Sequence, residues 1–119
     1  MTVSESTGGL KPAQAAHLSD MVGYAEGSIV SRTLCQSPAG TLTVFAFDVG
    51  QGLSPHAAPF DAYVQVLDGQ AELIIGERIV RAETGTIVLM PAGVTHEIKP
   101  AGRFKVLLTM FKSPPAEKT

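Results

Sequence analysis

The stretch GTIVLMPAGVTHEI, residues 85–98, decides the fold. Thr86 to Met90 form a short run, mostly apolar and partly β-branched, Pro91 and Gly93 interrupt it, and His96 then stands between Val94 and Ile98. Five residues bounded by glycine and proline read as a strand that ends in a turn, not as a helix. Pro91 can end a strand because nothing there needs its missing N–H, and Gly93 suits a left-handed turn position. Beyond the turn, strand alternation puts Val94, His96 and Ile98 on one face and Thr95, Glu97 and Lys99 on the other. His96 therefore points into a core. Its imidazole must meet a hydrogen-bond partner, a metal or a ligand there, or carry an unsatisfied polar group at about 1–3 kcal/mol.

The same grammar extends in both directions. Short apolar or β-branched runs, each closed by Gly, Pro or polar residues, predict strands over 28–35, 41–49, 62–68, 70–76, 77–82, 86–90, 95–99 and 104–111. No segment between them is long enough for a ten-residue helix, so the spacing predicts an all-β sandwich or barrel. Ser37-Pro38-Ala39-Gly40, Asp68-Gly69, Gly76-Glu77 and Pro100-Ala101-Gly102 supply the fixed or positive φ of tight reversals, and antiparallel hairpins are expected at them. Residues 1–27 form an N-terminal arm in which Ala15, Leu18 and Val22 could line a short helix. Residues 28–112 form the barrel, and 113–119 (SPPAEKT, after Lys112) a mobile tail.

A chain of 119 residues can bury one core without staples. Charged residues make up only 17% of it and apolar residues 45%, which leaves apolar surface to be hidden. In several strands both faces are apolar: Leu42 and Val44 oppose Phe45 and Phe47, while Phe104, Val106, Leu108 and Met110 oppose Leu107 and Phe111. One face fills the core, and the other must be covered by the N-terminal segment or by a second copy, so a homodimer is expected. The net charge of −2, without a basic cluster, offers no footprint for nucleic acid or anionic lipid. Cys35 is the only cysteine and no leader or membrane-length apolar run is seen, which points to a cytoplasmic protein.

The second histidine in a plausible position is His56, in the Gly- and Pro-rich stretch GQGLSPHAAPFDA. Two imidazoles do not close a metal site, because zinc takes three or four protein ligands and non-haem iron commonly two histidines and a carboxylate. Asp61 is the nearest acid. If Val64 and Val66 face the core, Ala62 does too and Asp61 turns outward; the opposite phase turns Asp61, Tyr63 and Gln65 inward, and a bulge beside Pro59 could set either. His17 lies before the barrel and reads as solvated; Met90 and Met110 read as core filler.

These residues resemble the two-motif signature of the cupin superfamily, small jelly-roll barrels of the RmlC-like type. The first motif, G-x5-H-x-H-x3,4-E-x6-G, falls on Gly50, His56, Ala58 in place of the second histidine, Ala62 in place of the glutamate, and Gly69. The second, G-x5-P-x-G-x2-H-x3-N, falls on Gly85, Pro91, Gly93 and His96, with Pro100 in place of the asparagine. Fifteen residues separate Gly69 from Gly85, as in compact members, and the likeness covers most of residues 28–111.

The resemblance implies an all-β double-stranded β-helix. It also implies a pocket around His56, His96, Ala58, Ala62, Val64 and Gln65, with His56 and His96 as candidate ligands for a divalent Fe, Mn, Ni or Zn ion and Asp61 as a weaker third. Ala58 and Ala62 remove half of the family's ligand set and its only negative charge. The expected function is binding of a small molecule, a divalent metal, or both. The alternatives are a metal-dependent oxygenase, a metal-free isomerase or decarboxylase with His96 as the catalytic acid or base, and a stand-alone ligand sensor.

Overall fold

The structure, a computed structural model, describes residues 2–7 and 9–112; the proposed tail at 113–119 lies outside the described residues. Ten strands run in chain order: β1 (Thr2–Thr7), β2 (Ser28–Ser37), β3 (Gly40–Phe47), β4 (Leu53–His56), β5 (Asp61–Asp68), β6 (Gln70–Ile75), β7 (Arg78–Glu83), β8 (Ile87–Met90), β9 (His96–Lys99) and β10 (Phe104–Phe111). They form a six-stranded sheet in the order β1-β2-β3-β10-β5-β8 and a four-stranded sheet in the order β4-β9-β6-β7. This is a jelly roll, all-β as expected. Among the described residues no helix is long and apolar enough to cross a membrane.

Two strands, β1 and β4, were not expected. β1 lies parallel to β2, Thr2 opposite Ser28 through Thr7 opposite Thr33. The expected helix over the arm is reduced to one 3-10 turn, Leu18–Asp20. The expectation of hairpins at all four turns is also corrected. Only β2–β3 and β6–β7 pair across their turns, whereas Asp68-Gly69 carries the chain from β5 in one sheet to β6 in the other, and Pro100-Ala101-Gly102 carries it from β9 to β10. Turn residues fix the local φ, but whether the next strand pairs or crosses depends on which sheet its apolar face can join.

The strands alternate because one face of each sheet is hidden. Ala62, Val64 and Val66 of β5, Phe104 and Val106 of β10, Phe47 of β3, and Ala71 and Leu73 of β6 are buried between the sheets. Phe47 and Phe104, fully buried cross-strand partners, stack with ring centroids 4.4 Å apart and planes 11° from parallel, a contact worth about 0.5–1.5 kcal/mol beyond the area it buries. The second apolar face is covered within the chain over β2, β3 and β10. There Leu18, Met21, Val22 and Tyr24 pack on Leu34, Val44, Ala46 and Leu107.

Polar contacts hold this segment down. The Tyr24 hydroxyl donates to Asp68 Oδ2, Lys105 Nζ donates to the Ser19 carbonyl, and the cations of Arg103 and Lys105 stand 5.1 and 5.0 Å from the Tyr24 ring centroid. Asp48 completes the clasp, taking Arg103 Nε at 2.7 Å and the Gly27 N–H at 2.7 Å. The Arg103 bond, with the backbone N–H groups of Gly27 and Val49, holds its carboxyl below the usual carboxylate range.

Gly69 is where the crossover is tightest. Its φ is +72°, and a Cβ there would lie 2.3 Å from the Arg103 carbonyl oxygen; Gly85, at φ +92°, has open space around it. Gly69→Ala is therefore expected to lower unfolding free energy by more than about 2 kcal/mol, since backbone must move as well as φ strain be borne, and Gly85→Ala by only about 1 kcal/mol. Urea denaturation of the two variants checks the difference; equal losses would remove the close-approach argument.

Candidate functional site

β4 and β9 bring the two histidines together. They pair in antiparallel fashion with Leu53 opposite Ile98 and His56 opposite His96, the register shifting between the two pairs. Irregular pairing lets both side chains of the second pair reach the same space. His96 Nε2 and His56 Nε2 are 3.1 Å apart, and the rings meet edge to face with centroids 4.3 Å apart and planes at 72°.

Hydrogen bonding fixes how the protons are arranged. His56 Nδ1 lies 2.9 Å from the Ser54 carbonyl oxygen, which can only accept, so Nδ1 carries the proton and a neutral His56 presents a bare Nε2. The 3.1 Å contact then requires His96 to donate from Nε2, and its Nδ1 becomes a lone pair. That atom is buried without a hydrogen-bond partner. His96 is only 5% exposed. Burial, with the neighbouring His56 second, pushes its pKa below the ordinary histidine value against an opposing contribution from the Val94 backbone.

The pair closes one side of a cavity of about 140 Å³ between the sheets. Ala58, Ala62 and Val64 line it, as do Phe45, Phe47 and Leu53, Ile98, Val106 and Leu108, and Met90 and Met110. Ala62 forms the centre of a cross-strand row, opposite Met110 on β10 and Met90 on β8.

Two expected site residues stand elsewhere. β5 takes the phase in which Ala62, Val64 and Val66 are buried, so Gln65 belongs to the opposite face and does not line the cavity. Asp61 turns the same way and accepts the Ala92 N–H at 2.9 Å. It serves the turn after β8 and offers no ligand beside the histidines. His17 is exposed, before the barrel. Met90 and Met110, read from sequence as filler, belong to the cavity wall; for Met110 the available signal was the phase it shares with Val106 and Leu108 on β10.

Among the described residues no third His, Cys, Asp or Glu joins His56 and His96 in a group able to hold a metal. Fe(II), Mn(II), Ni(II) and Zn(II) sites draw on three or more nitrogen, oxygen or thiolate donors. The two imidazoles, with methyl groups at 58 and 62 and no carboxylate in the wall, do not fit such a centre.

The depressed His96 pKa sets a direction for stability. A group whose folded pKa is lowered leaves the unfolded chain binding more protons as pH falls. Stability is therefore full above the unfolded value near 6.5, falls as pH drops through it toward the folded pKa, and levels off below. The slope is at most about 1.4 kcal/mol per pH unit, one proton's worth. Thermal melts between pH 8 and pH 5 should show this decline in the wild type and a flatter profile in His96→Leu. Parallel profiles would mean the imidazole is not desolvated in the folded protein.

Residues 43–110 match the sequence model of the cupin domain. A conserved protein of unknown function from Streptococcus pyogenes shares 33% identity and superposes with a TM-score of 0.84, over 90% of this chain and 94% of that one. A cupin 2 conserved barrel domain protein from Leptotrichia buccalis shares 35% identity, TM-score 0.76, over 79% of this chain but only 46% of its own length. A cupin superfamily protein from Desulfitobacterium hafniense, at 23% identity and TM-score 0.83 over 89% of this chain and 97% of that one, shares the fold. No curated protein matches the chain. With Gly85, Pro91, Gly93 and His96 of the second motif in place and the domain match running over residues 43–110, the chain belongs to the cupin family.

Proposed function

We propose that this cupin binds a compact, largely apolar small molecule in the barrel cavity, oriented at one end by His56 and His96. The composition of the wall carries this reading: apart from the two imidazoles, every residue lining the cavity is hydrocarbon or thioether. An apolar cavity of about 150 Å³ takes up benzene, so a volume of about 140 Å³ suits a substituted ring or branched chain with one hydrogen-bonding group. A metal-free isomerase or decarboxylase acting on such a ligand is the second reading, favoured by the 3.1 Å imidazole contact, which allows one ring to pass a proton to the other. A stand-alone sensor needs only the binding. The single cysteine, exposed at Cys35, suits a reducing cytoplasm.

Ala62→Leu would add three carbons between Met90 and Met110. In a thermal-shift and ligand-observed NMR screen of small ring alcohols, ketones and acids, binding to wild type is expected to weaken at least tenfold in this variant while its circular dichroism spectrum is retained. Ligands that bind both forms equally would place the site outside the barrel.

We also propose a homodimer through the part of the six-stranded sheet that the N-terminal segment leaves open. Ile87 (62% exposed), Leu89 (44%) and Phe111 (54%) stand there, with Tyr63 edge-on to Phe111 at 5.8 Å and opposite Leu89 across β5–β8. A two-fold axis would lay this largely apolar patch on its own copy, with β8, the edge strand, alongside. Light scattering after size exclusion should give twice the chain mass for wild type and the monomer mass for Leu89→Glu/Phe111→Glu. A monomeric wild type at micromolar concentration would end this proposal.

A further inference from the structure

We infer that the ligand of the barrel cavity is a neutral aromatic alcohol or phenol, its ring lying over Ala62 between Met90 and Met110 and its hydroxyl at the imidazole pair. This rests on the small-molecule reading above and narrows its ligand class. Six of the thirteen residues that line the cavity are Phe45, Phe47, His56, His96, Met90 and Met110. Each offers a π system or a polarisable sulfur, and such groups gain more from an aromatic ring than from a saturated one of like size. The other seven are hydrocarbon and do not discriminate between the two.

Placement agrees with composition. Met110, Ala62 and Met90 stand in one cross-strand row on the six-stranded sheet, so a flat ring laid over the Ala62 methyl has a thioether on either side, and sulfur favours the edge of an aromatic ring at about 5 Å. Phe104 stacks on one face of Phe47, yet Phe47 still lines the cavity, and Phe45 lies beside it with centroids 6.0 Å apart and planes 34° from parallel. An incoming ring extends this aromatic row, offset or edge-on as such pairs prefer. Orientation follows from exposure. Ala62, Val64, Met90 and Val106 are buried, whereas Phe45, Leu53, Leu108 and Met110 are only partly buried and His56 is exposed. The ring therefore enters first and the polar substituent stays with His56. No Lys or Arg lines the cavity, so a carboxylate there would lack a counter-ion, a cost that a hydroxyl avoids. A hydroxyl also donates and accepts, which suits an imidazole in either tautomer.

The test compares benzyl alcohol, cyclohexylmethanol and the smaller cyclopentylmethanol by chemical-shift titration of the isotope-labelled full-length protein. All three carry the same primary hydroxyl. Cyclohexylmethanol is more hydrophobic than benzyl alcohol, so burial of apolar area alone favours the saturated ligand, and cyclopentylmethanol removes size as an explanation. Wild type is expected to bind benzyl alcohol at least fivefold more tightly than either saturated alcohol, and at least tenfold more tightly than benzoate. Each ring or sulfur contact contributes about two- to tenfold to such a preference. The ratio of dissociation constants should therefore fall toward one as Phe45→Leu is combined with Met90→Leu and Met110→Leu, the latter two conserving volume. Equal affinity for the three alcohols, tighter binding of benzoate, or an aromatic preference that survives all three substitutions would overturn the inference and leave the small-molecule reading standing. Binding of none of the four compounds would overturn both.

Discussion

The stacked pair of Phe47 and Phe104 is the constraint on which the rest of the barrel depends. Both rings are fully buried and lie on neighbouring strands of the larger sheet, so they fix how closely the sheets approach at that end. Gly69 records the same closeness from the other side: a Cβ there would meet not only the Arg103 carbonyl but also Phe104 Cβ, at 3.2 Å. Aromatic bulk and a missing side chain are complementary, since the crossover from β5 to β6 passes close to Phe104. Phe47 also lines the cavity and Phe104 does not, so the stack is where filled core gives way to open space. Beyond it the inward residues include Ala58 and Ala62, and the volume they do not occupy helps to form the cavity.

At the other side of that space the electrostatics are those of two imidazoles without a counter-charge. Desolvation disfavours the charged form of His96, and the neighbouring His56, its ring nitrogen 3.1 Å away, adds to this. Neutrality then makes the site depend on tautomers. His56 has its tautomer set by Ser54, and His96, left to complement it, ends with a buried nitrogen that nothing satisfies. Buried polar atoms without partners are uncommon in folded proteins and mark places where the folded chain is incomplete without something else. Here that atom belongs to the ring most strongly specified by the sequence motif.

Much of this was legible in the sequence, and the remainder fails for identifiable reasons. The eight expected strands all appear within a residue or two of their expected ends, because alternation and turn residues act locally. β4 was missed because Leu53–His56 is short, contains Pro55, and is held only by irregular pairing to β9. β1 was missed because TVSEST carries no apolar period; it is a strand by pairing to β2 alone. The phase of β5 could not be read through Pro59. It is set by the small Ala62 fitting between two methionines and by Asp61 being drawn to the Ala92 N–H. Of the residues that suggested a helix, Leu18 and Val22 reach the sheet together with Met21 and Tyr24, on a path that holds only one 3-10 turn, while Ala15 stays exposed.

That path also changes what the low charge content means. A chain with 17% charged residues invites the inference of a partner, but its described residues form two apolar clusters. The first lies between the sheets, and the second lies under residues 18–24. Most of the surplus hydrophobicity is therefore hidden within one copy, and the Tyr24, Arg103, Lys105 and Asp48 contacts keep the cover in place. The argument for a second copy rests on the smaller patch at Ile87, Leu89 and Phe111, beyond the reach of that cover. It is a question about one sheet edge, not about composition.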